Sequence, residues 1–343
     1  MQGNPPETRA TEAATQSVTR LAPSPTGALH LGNARTFLVN WAIARQRAWK
    51  IILRIEDLDG PRVKPGSDRQ SIALLQWLGI DFDQGPLWQS PRLAEYQQTM
   101  HQLVQRGMAY RSDLSRAEVE RQAADIQPIA PSHSSASAPQ EGSHEVRFPP
   151  ELRPTIDDAS RARGFDDPNA TWRFVVKPGT ISFTDRFAGP QSFDVSAIAG
   201  DFIVWTRQGV PAYQLAVVLD DASQGITEVV RGDDLLDSAA RQILIYDALG
   251  LKPRPAYTHL PLVKGTDGRR LAKRHGDTRL DTYRDAGIRP ERIIGLVAFW
   301  CGTIPARREI SSAEFQQALS LDTIPKAPVV FTPEDDAWLR ART

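Results

Sequence analysis

Cysteine is almost absent from this sequence: Cys301 is the only one in 343 residues. A lone thiol excludes an intrachain disulfide and a multi-cysteine zinc site. It sits in an apolar run, so a buried thiol in a reducing cytosol is the simplest reading. Net charge is missing as well, because 41 Lys and Arg balance 41 Asp and Glu. Bulk attraction to nucleic acid is thereby disfavoured, while a local basic face stays open. No run of 18 apolar residues occurs, so no membrane span is expected. Residues 1–17 lack the apolar stretch of a secretory signal; rich in Pro, Thr, Glu and Ala, they read as a disordered tail. What remains is ordinary for a soluble globular protein, with 41% hydrophobic and 24% charged residues and length for about two domains.

The informative stretch is Arg20-Leu-Ala-Pro-Ser-Pro-Thr-Gly-Ala-Leu-His-Leu-Gly-Asn33. A short strand over Val18–Ala22 leads into Pro23, Pro25 and Gly27. A helix follows from near His30, with Ala34, Phe37, Leu38, Trp41 and Ala42 on one face. Strand, rigid turn and helix start make a place for an anion, because first-turn amides are unpaired and the helix dipole is positive there. Gly27 and Gly32 let a ligand approach the backbone, and His30 can offer a ring N–H to phosphate. The apolar run Trp49–Ile55 reads as a buried parallel strand ending in Glu56-Asp57-Leu58-Asp59, which completes a βαβ unit.

Further along, helices are expected over Ser67–Leu78 (capped by Ser67 or Asp68), Pro91–Arg106 and Ala117–Ile126, with a loop at Gly79–Gly85. Gln127–Ser143 is dense in Pro, Ser and Ala and reads as a flexible insertion, with His133 inside it and His144 just after it solvated rather than metal-binding. Strands are expected at Trp172–Val176, Thr180–Arg186, Asp201–Thr206, Ile226–Val230 and Tyr257–Val263. Val210–Asp221 starts extended and turns helical, and Leu235–Leu249 is a helix stopped by Gly250. Pro290–Trp300 and Ser311–Leu319 are helices as well. The fold class is α/β, a doubly wound parallel sheet split by an α/β insertion, with a short helical C-terminal region. The expected segments are a tail at 1–17, a first sheet half at 18–106, an insertion at 107–190 with a flexible loop at 127–143, a second half at 191–277 and a helical region at 278–343.

Arg20, Glu56, Tyr213 and Arg231 form a selective polar set. Two guanidinium groups suit a dicarboxylate, Glu56 suits an ammonium and Tyr213 can donate to a carboxylate oxygen, which together fit glutamate. Gly268–Asp277 is a basic loop suited to the phosphates of ATP.

The stretch Arg20–Asn33 resembles the first ATP motif of class I aminoacyl-tRNA synthetases, in the glutamyl and glutaminyl branch. Arg270-Leu-Ala-Lys-Arg274 resembles the second motif, with Lys273 retained, Arg270 in place of lysine and Ala272 in place of a hydroxyl residue. Arg54–Asp59, Ala212–Asp221 and Glu228–Asp237 are similar to the same catalytic core. The resemblance implies a Rossmann-like fold. It implies His30 and Lys273 as catalytic residues and His30, Gly32, Asn33, Arg270 and Lys273 as the ATP site. Arg20, Leu21, Ala22, Pro23, Ser24, Glu56, Tyr213 and Arg231 become the glutamate site. About 70 residues follow Lys273, fewer than the anticodon-binding region of a full glutamyl-tRNA synthetase. The chain thus resembles the truncated glutamyl-Q tRNA(Asp) synthetase family.

That family activates glutamate with ATP and transfers it to queuosine in the anticodon of tRNA(Asp). The implied partners are L-glutamate, ATP with Mg²⁺, and tRNA(Asp) bearing queuosine, with no membrane, a cytoplasmic setting and a monomeric chain. Ser112, Leu114 and Leu152 stand where family members carry zinc-binding cysteines, so no zinc is expected and packing is expected to hold the insertion. No base for the transfer step is identifiable. Two alternatives stay open: a minimal glutamyl-tRNA synthetase charging a 3′ end, and a non-catalytic nucleotide- or tRNA-binding paralogue.

Overall fold

The computed structural model describes residues 16–126, 146–269, 271 and 277–341. The expected tail up to residue 15, the loop 127–143 with His133, and His144 lie outside the described residues.

The chain opens with β1 (Val18–Leu21), α1 (Leu31–Gln46), β2 (Lys50–Ile55), α2 (Ser67–Trp77), β3 (Gln84–Trp88) and α3 (Leu93–Gln105). It continues through β4 (Ala109–Ser112), α4 (Arg116–Ile126), α5 (Asp158–Arg163), β5 (Thr171–Phe174), β6 (Thr180–Asp185), β7 (Gly189–Asp194), α6 (Val195–Ile198) and β8 (Ile203–Trp205). Then follow α7 (Tyr213–Ser223), β9 (Glu228–Gly232), α8 (Leu236–Leu249), β10 (Ala256–Leu260) and β11 (Val263–Lys264). The last elements are α9 (Leu280–Asp285), α10 (Pro290–Trp300), α11 (Ser312–Ala318), β12 (Val329–Val330) and α12 (Pro333–Arg340).

Five strands make the expected parallel sheet in the order β10-β9-β1-β2-β3. The winding reverses between β1 and β9, and a crevice opens beyond the strand ends at such a point. Alternation along each strand sorts side chains between the two faces. Leu21, Ile51, Leu53, Ile55 and Val230 join the core built with α1, α10 and α11, whereas Ile52, Val229 and Tyr257 pack with Ala239 and Ile243 of α8. Arg20, Arg54 and Arg231 alternate with the first set, so the pleat sends all three guanidinium groups to the α8 face.

Three local expectations change. The loop expected at Gly79–Gly85 ends at Asp83, because Gln84–Trp88 pairs with β2 as the edge strand. Pro86 is tolerated there because an edge strand leaves one side unpaired. The N-cap of α2 is Gly66 rather than Ser67 or Asp68; the Ser67 hydroxyl instead donates to the carbonyls of Pro25 (2.7 Å) and Lys64 (2.6 Å). The segment Asp201–Thr206, expected in the second half of the parallel sheet, supplies β8 to an antiparallel sheet ordered β4-β5-β8. Aromatic packing decides that placement: Phe165 meets Trp172 at 5.1 Å and Trp205 at 5.0 Å between ring centroids, and all three rings are buried.

The insertion is held by polar contacts as well as by packing. Asp201 is fully buried and accepts from Tyr110 Oη (2.8 Å), Arg153 Nε (2.6 Å) and Nη2 (2.7 Å), and the Val176 amide (2.7 Å). Gly200 permits this approach, since it has φ +64° and a Cβ there would lie 1.8 Å from the Phe148 carbonyl oxygen. Leu114 and Leu152 pack against the cluster of Tyr110, Val119, Phe148 and Val175, and Ser112 is buried in β4. An apolar cluster offers a metal nothing to bind, so the residues at these positions do not fit a zinc ion.

Asp201→Ala leaves Tyr110 and the half-buried Arg153 without their shared acceptor. It is expected to lower the unfolding free energy by about 2–3 kcal/mol in urea denaturation. A loss below about 0.5 kcal/mol would show that the network contributes nothing to stability.

Candidate active site

The site begins at the helix start the sequence pointed to. His30 is the N-cap of α1 with an extended backbone (φ −119°, ψ 173°). Its Nδ1 accepts from the Gly32 amide at 3.1 Å, and Asn33 Oδ1 accepts from the His30 amide at 3.0 Å, a reciprocal capping box. With Nδ1 accepting, the proton of a neutral ring resides on Nε2, which is therefore a donor. Asn33 spends its oxygen on the helix start, and only its Nδ2 amide group is left to meet an anion. Gly32 has a tighter reason to be glycine than ligand access, because a Cβ there would lie 2.9 Å from His30 Cε1. Gly27 meets nothing within 4 Å of such an atom and is an open position.

Across the switch point, the three arginines differ in their company. Arg54 is fully buried; its Nη1 binds Asp221 (2.6 Å) and Gln224 (3.0 Å), its Nη2 binds Glu56 (3.1 Å), and Asp220 lies 3.9 Å from its Nε. Burial works against its charge, but Asp221, Glu56 and Asp220 outweigh that and hold the guanidinium above its ordinary range. Asp220 also takes Gln89 (2.6 Å), Tyr96 Oη (2.8 Å) and Arg92. Arg20 lies 3.5 Å from Asp221, and its buried Nε has no hydrogen-bond partner. Arg231 donates from Nε to His259 Nε2 at 2.9 Å and from Nη2 to the Leu235 carbonyl at 3.3 Å, while its buried Nη1 has no partner.

Glu56 borders this group. Burial pushes its carboxyl up, opposed first by Arg54 and then by Arg20. Tyr213 opens α7 and is 39% exposed at the rim. The charges acting on its hydroxyl, after burial, are Arg231, Glu56, Arg20 and Asp221. The fold therefore brings the four expected residues Arg20, Glu56, Tyr213 and Arg231 to one crevice. Leu21 departs from the expectation: its side chain is in the α1 core on the opposite face, and only its backbone can border the site. Ala22 is half-buried, the Pro23 carbonyl accepts the Glu56 amide at 3.1 Å, and Ser24 is exposed with its hydroxyl 3.1 Å from that of Thr26. Arg270 and Lys273 lie outside the described residues.

Several partners carried no role in the sequence reading. Arg54, Asp220 and Asp221 lie inside motif segments, yet nothing in one dimension pairs residue 54 with residue 221. His259 and Asp185 are fully buried, and the parallel register sets Arg231 beside His259. His259 Nδ1 lies 2.6 Å from Asp185 Oδ2, which also receives the His259 amide at 3.1 Å. Burial lowers the His259 pKa to about 4, with Asp185 opposing and Arg231 assisting, so the ring is neutral at pH 7. The Tyr246 hydroxyl is buried without a partner, and the charged groups acting on it include Asp221, Arg54 and Arg20. A helix start fit for phosphate beside buried, unpartnered donors and a carboxylate can hold a nucleotide and an amino acid side by side.

The sequence matches the family described as tRNA synthetases class I (E and Q), catalytic domain, over residues 16–335. A relative named glutamyl-Q tRNA(Asp) synthetase, from Symbiobacterium thermophilum, is 42% identical over 94% of this chain and 98% of its own. A glutamate–tRNA ligase from Synechococcus sp. is 35% identical over 94% of this chain and 65% of its own. A solved glutamate tRNA ligase from Elizabethkingia meningosepticum, in complex with its amino acid, superposes with a TM-score of 0.74 at 27% identity. That superposition covers 94% of this chain and 68% of the other.

A histidine kept neutral by burial makes stability depend on pH. Above the unfolded value of 6.5 both states are neutral; between that and about 4 only the unfolded chain takes the proton. Stability is therefore expected to fall as pH drops from 6.5 towards about 4, by on the order of 2–3 kcal/mol from His259 alone. Asp185, held below the usual carboxylate range by His259 and backbone amides against its burial, stays charged throughout this window. Denaturation curves for the wild type and His259→Gln should converge as pH falls; parallel curves would remove His259 as the cause.

Proposed function

The chain belongs to the class I tRNA synthetases of the E and Q type, and from that premise we propose that it activates L-glutamate with ATP and transfers the glutamyl group to queuosine in tRNA(Asp). It is an adenylate-forming ligase. In the first step the glutamate α-carboxylate attacks the α-phosphorus of ATP in line, forming glutamyl-adenylate and releasing pyrophosphate. In the second, a hydroxyl of the queuosine cyclopentenediol attacks the adenylate carbonyl, and AMP leaves.

One observation carries the amino-acid half of this reading: the buried donors Arg20 Nε and Arg231 Nη1 make no hydrogen bond within the protein and share one sheet face beside Glu56, with Asp221 3.5 Å from Arg20 Nε. Buried donors of this kind cost about 1–3 kcal/mol each when left unmet, and a dicarboxylate meets them. Glu56 takes the ammonium and Tyr213 a carboxylate oxygen. His30 Nε2, the first amides of α1, Gly32 and Asn33 Nδ2 take the phosphates, and Arg270 and Lys273 are assigned to the same phosphates on their charge. Leu21, Ala22, Pro23 and Ser24 line the glutamate side through their backbone. The first step asks for positioning and charge neutralisation more than for a base. Among the described residues no group of three His, Cys, Asp or Glu side chains converges on a metal site. Mg²⁺ enters with the nucleotide substrate, where it shields phosphate charge.

The acceptor rests on the relative named glutamyl-Q tRNA(Asp) synthetase, matched at 42% identity against 35% for the glutamate–tRNA ligase. A second reading, glutamate charging at a tRNA 3′ end, draws on the superposition with the glutamate tRNA ligase. We take the chain to act as a monomer, without zinc in the insertion, where leucines and the Asp201 network stand instead; light scattering and metal analysis are the checks.

Glutamate-dependent exchange of pyrophosphate into ATP is expected without tRNA, and Lys273→Ala is expected to slow it about 100-fold with the melting temperature unchanged. No exchange by the intact protein would remove the activity; unchanged turnover would remove Lys273 from it. The acceptor is read with labelled glutamate on tRNA(Asp) with and without queuosine. Labelling that survives periodate oxidation of the 3′ end but vanishes without queuosine is the expected result, and the opposite pattern would establish 3′ charging.

A further inference from the structure

The arginines of the crevice are not equivalent. Arg20 and Arg54 sit beside Asp221, and Arg54 is further balanced by Glu56 and Asp220. Arg231 has no carboxylate partner among the described residues. Its Nε–H meets an imidazole, its Nη2 meets the Leu235 carbonyl, and its guanidinium carbon lies 5.2 Å from the centre of the Tyr257 ring. The imidazole in turn leans on Asp185, 2.6 Å from Nδ1. Asp185 is fixed from its own side by the amides of Phe187 (2.9 Å) and Ala188 (2.7 Å).

Hydrogen-bond logic sets the proton in this chain. A guanidinium Nε can only donate, so His259 Nε2 must accept, and the ring proton must sit on Nδ1, facing Asp185. A carboxylate in place of His259 would orient Arg231 equally well but would cancel its charge. A neutral ring orients it and leaves the charge unspent, with Nη1 buried and unpartnered.

We infer that Asp185 and His259 are positioning residues that hold Arg231 in place while keeping its charge unbalanced, so that the site takes a ligand carboxylate over the corresponding amide. This rests on the proposed glutamate site. Asp185→Asn is nearly isosteric and tests it. An asparagine oxygen can keep the Phe187 and Ala188 amides, while its NH₂ faces His259 Nδ1. That drives the ring proton to Nε2, where it opposes the Arg231 donor.

Pyrophosphate exchange with glutamate and with glutamine, together with long-range ¹⁵N NMR of the wild-type histidines, separates the outcomes. The expected result is a rise in KM for glutamate of about tenfold or more, with KM for ATP held within about twofold and the preference for glutamate over glutamine reduced. The wild-type His259 ring should read as neutral with its proton on Nδ1 from about pH 6 to 8. A folded Asp185→Asn protein with unchanged glutamate KM and preference would overturn the inference while leaving the glutamate reading intact. Absence of exchange in the wild type would instead sink the glutamate reading. If the variant fails to fold, the wild-type tautomer decides: a proton on Nε2 overturns the inference and one on Nδ1 upholds it.

Discussion

Burying Arg54 is the constraint on which the site depends. A guanidinium without solvent, at the carboxyl end of a central strand, is tolerable only with carboxylates in contact. Asp221 and Asp220 from α7 and Glu56 from the turn after β2 supply them. That one requirement fixes the end of α7 against the sheet, orients Glu56 towards the crevice and brings Asp221 within 3.5 Å of Arg20. Gln89, Tyr96 and Arg92, which hold Asp220, extend the same network into the start of the next helix.

The network also divides charge between structure and ligand. Arg54 is spent on the protein. Arg20 is partly balanced, and Arg231 is held by a neutral ring. Moving across the sheet from β2 through β1 to β9, guanidinium charge passes from fully compensated to free for a ligand. The opposite end of the crevice is built on backbone: the start of α1 offers amides, and the His30–Asn33 capping box sets their geometry. The two halves meet because parallel strands deliver their carboxyl ends to one edge.

The insertion is anchored by apolar packing together with one buried carboxylate. With Leu114 and Leu152 in an apolar cluster, fixation passes to Asp201 and its donors from β4, the turn around Arg153 and the end of β5. Packing alone, the expectation from sequence, describes only half of that arrangement.

The sequence by itself determined the α/β class, the helix start at His30, the apolar run of β2 and the residue types of the crevice. These are local properties: a Pro/Gly turn before an amphipathic helix, a strand-length apolar run, charged residues where strands end. It also named Arg20, Glu56, Tyr213 and Arg231 together. Tertiary structure decided what cannot be written locally. Strand alternation turned Leu21 away from the site and Arg20 into it. The register of β9 and β10 set His259 against Arg231, 28 positions away in sequence, and burial drove that histidine neutral. Edge pairing made a strand of Gln84–Trp88 despite its Gly-Pro pair. In each case the deciding factor was a pairing or a facing set by residues distant in sequence, which exists only once the strands have assembled into the sheet.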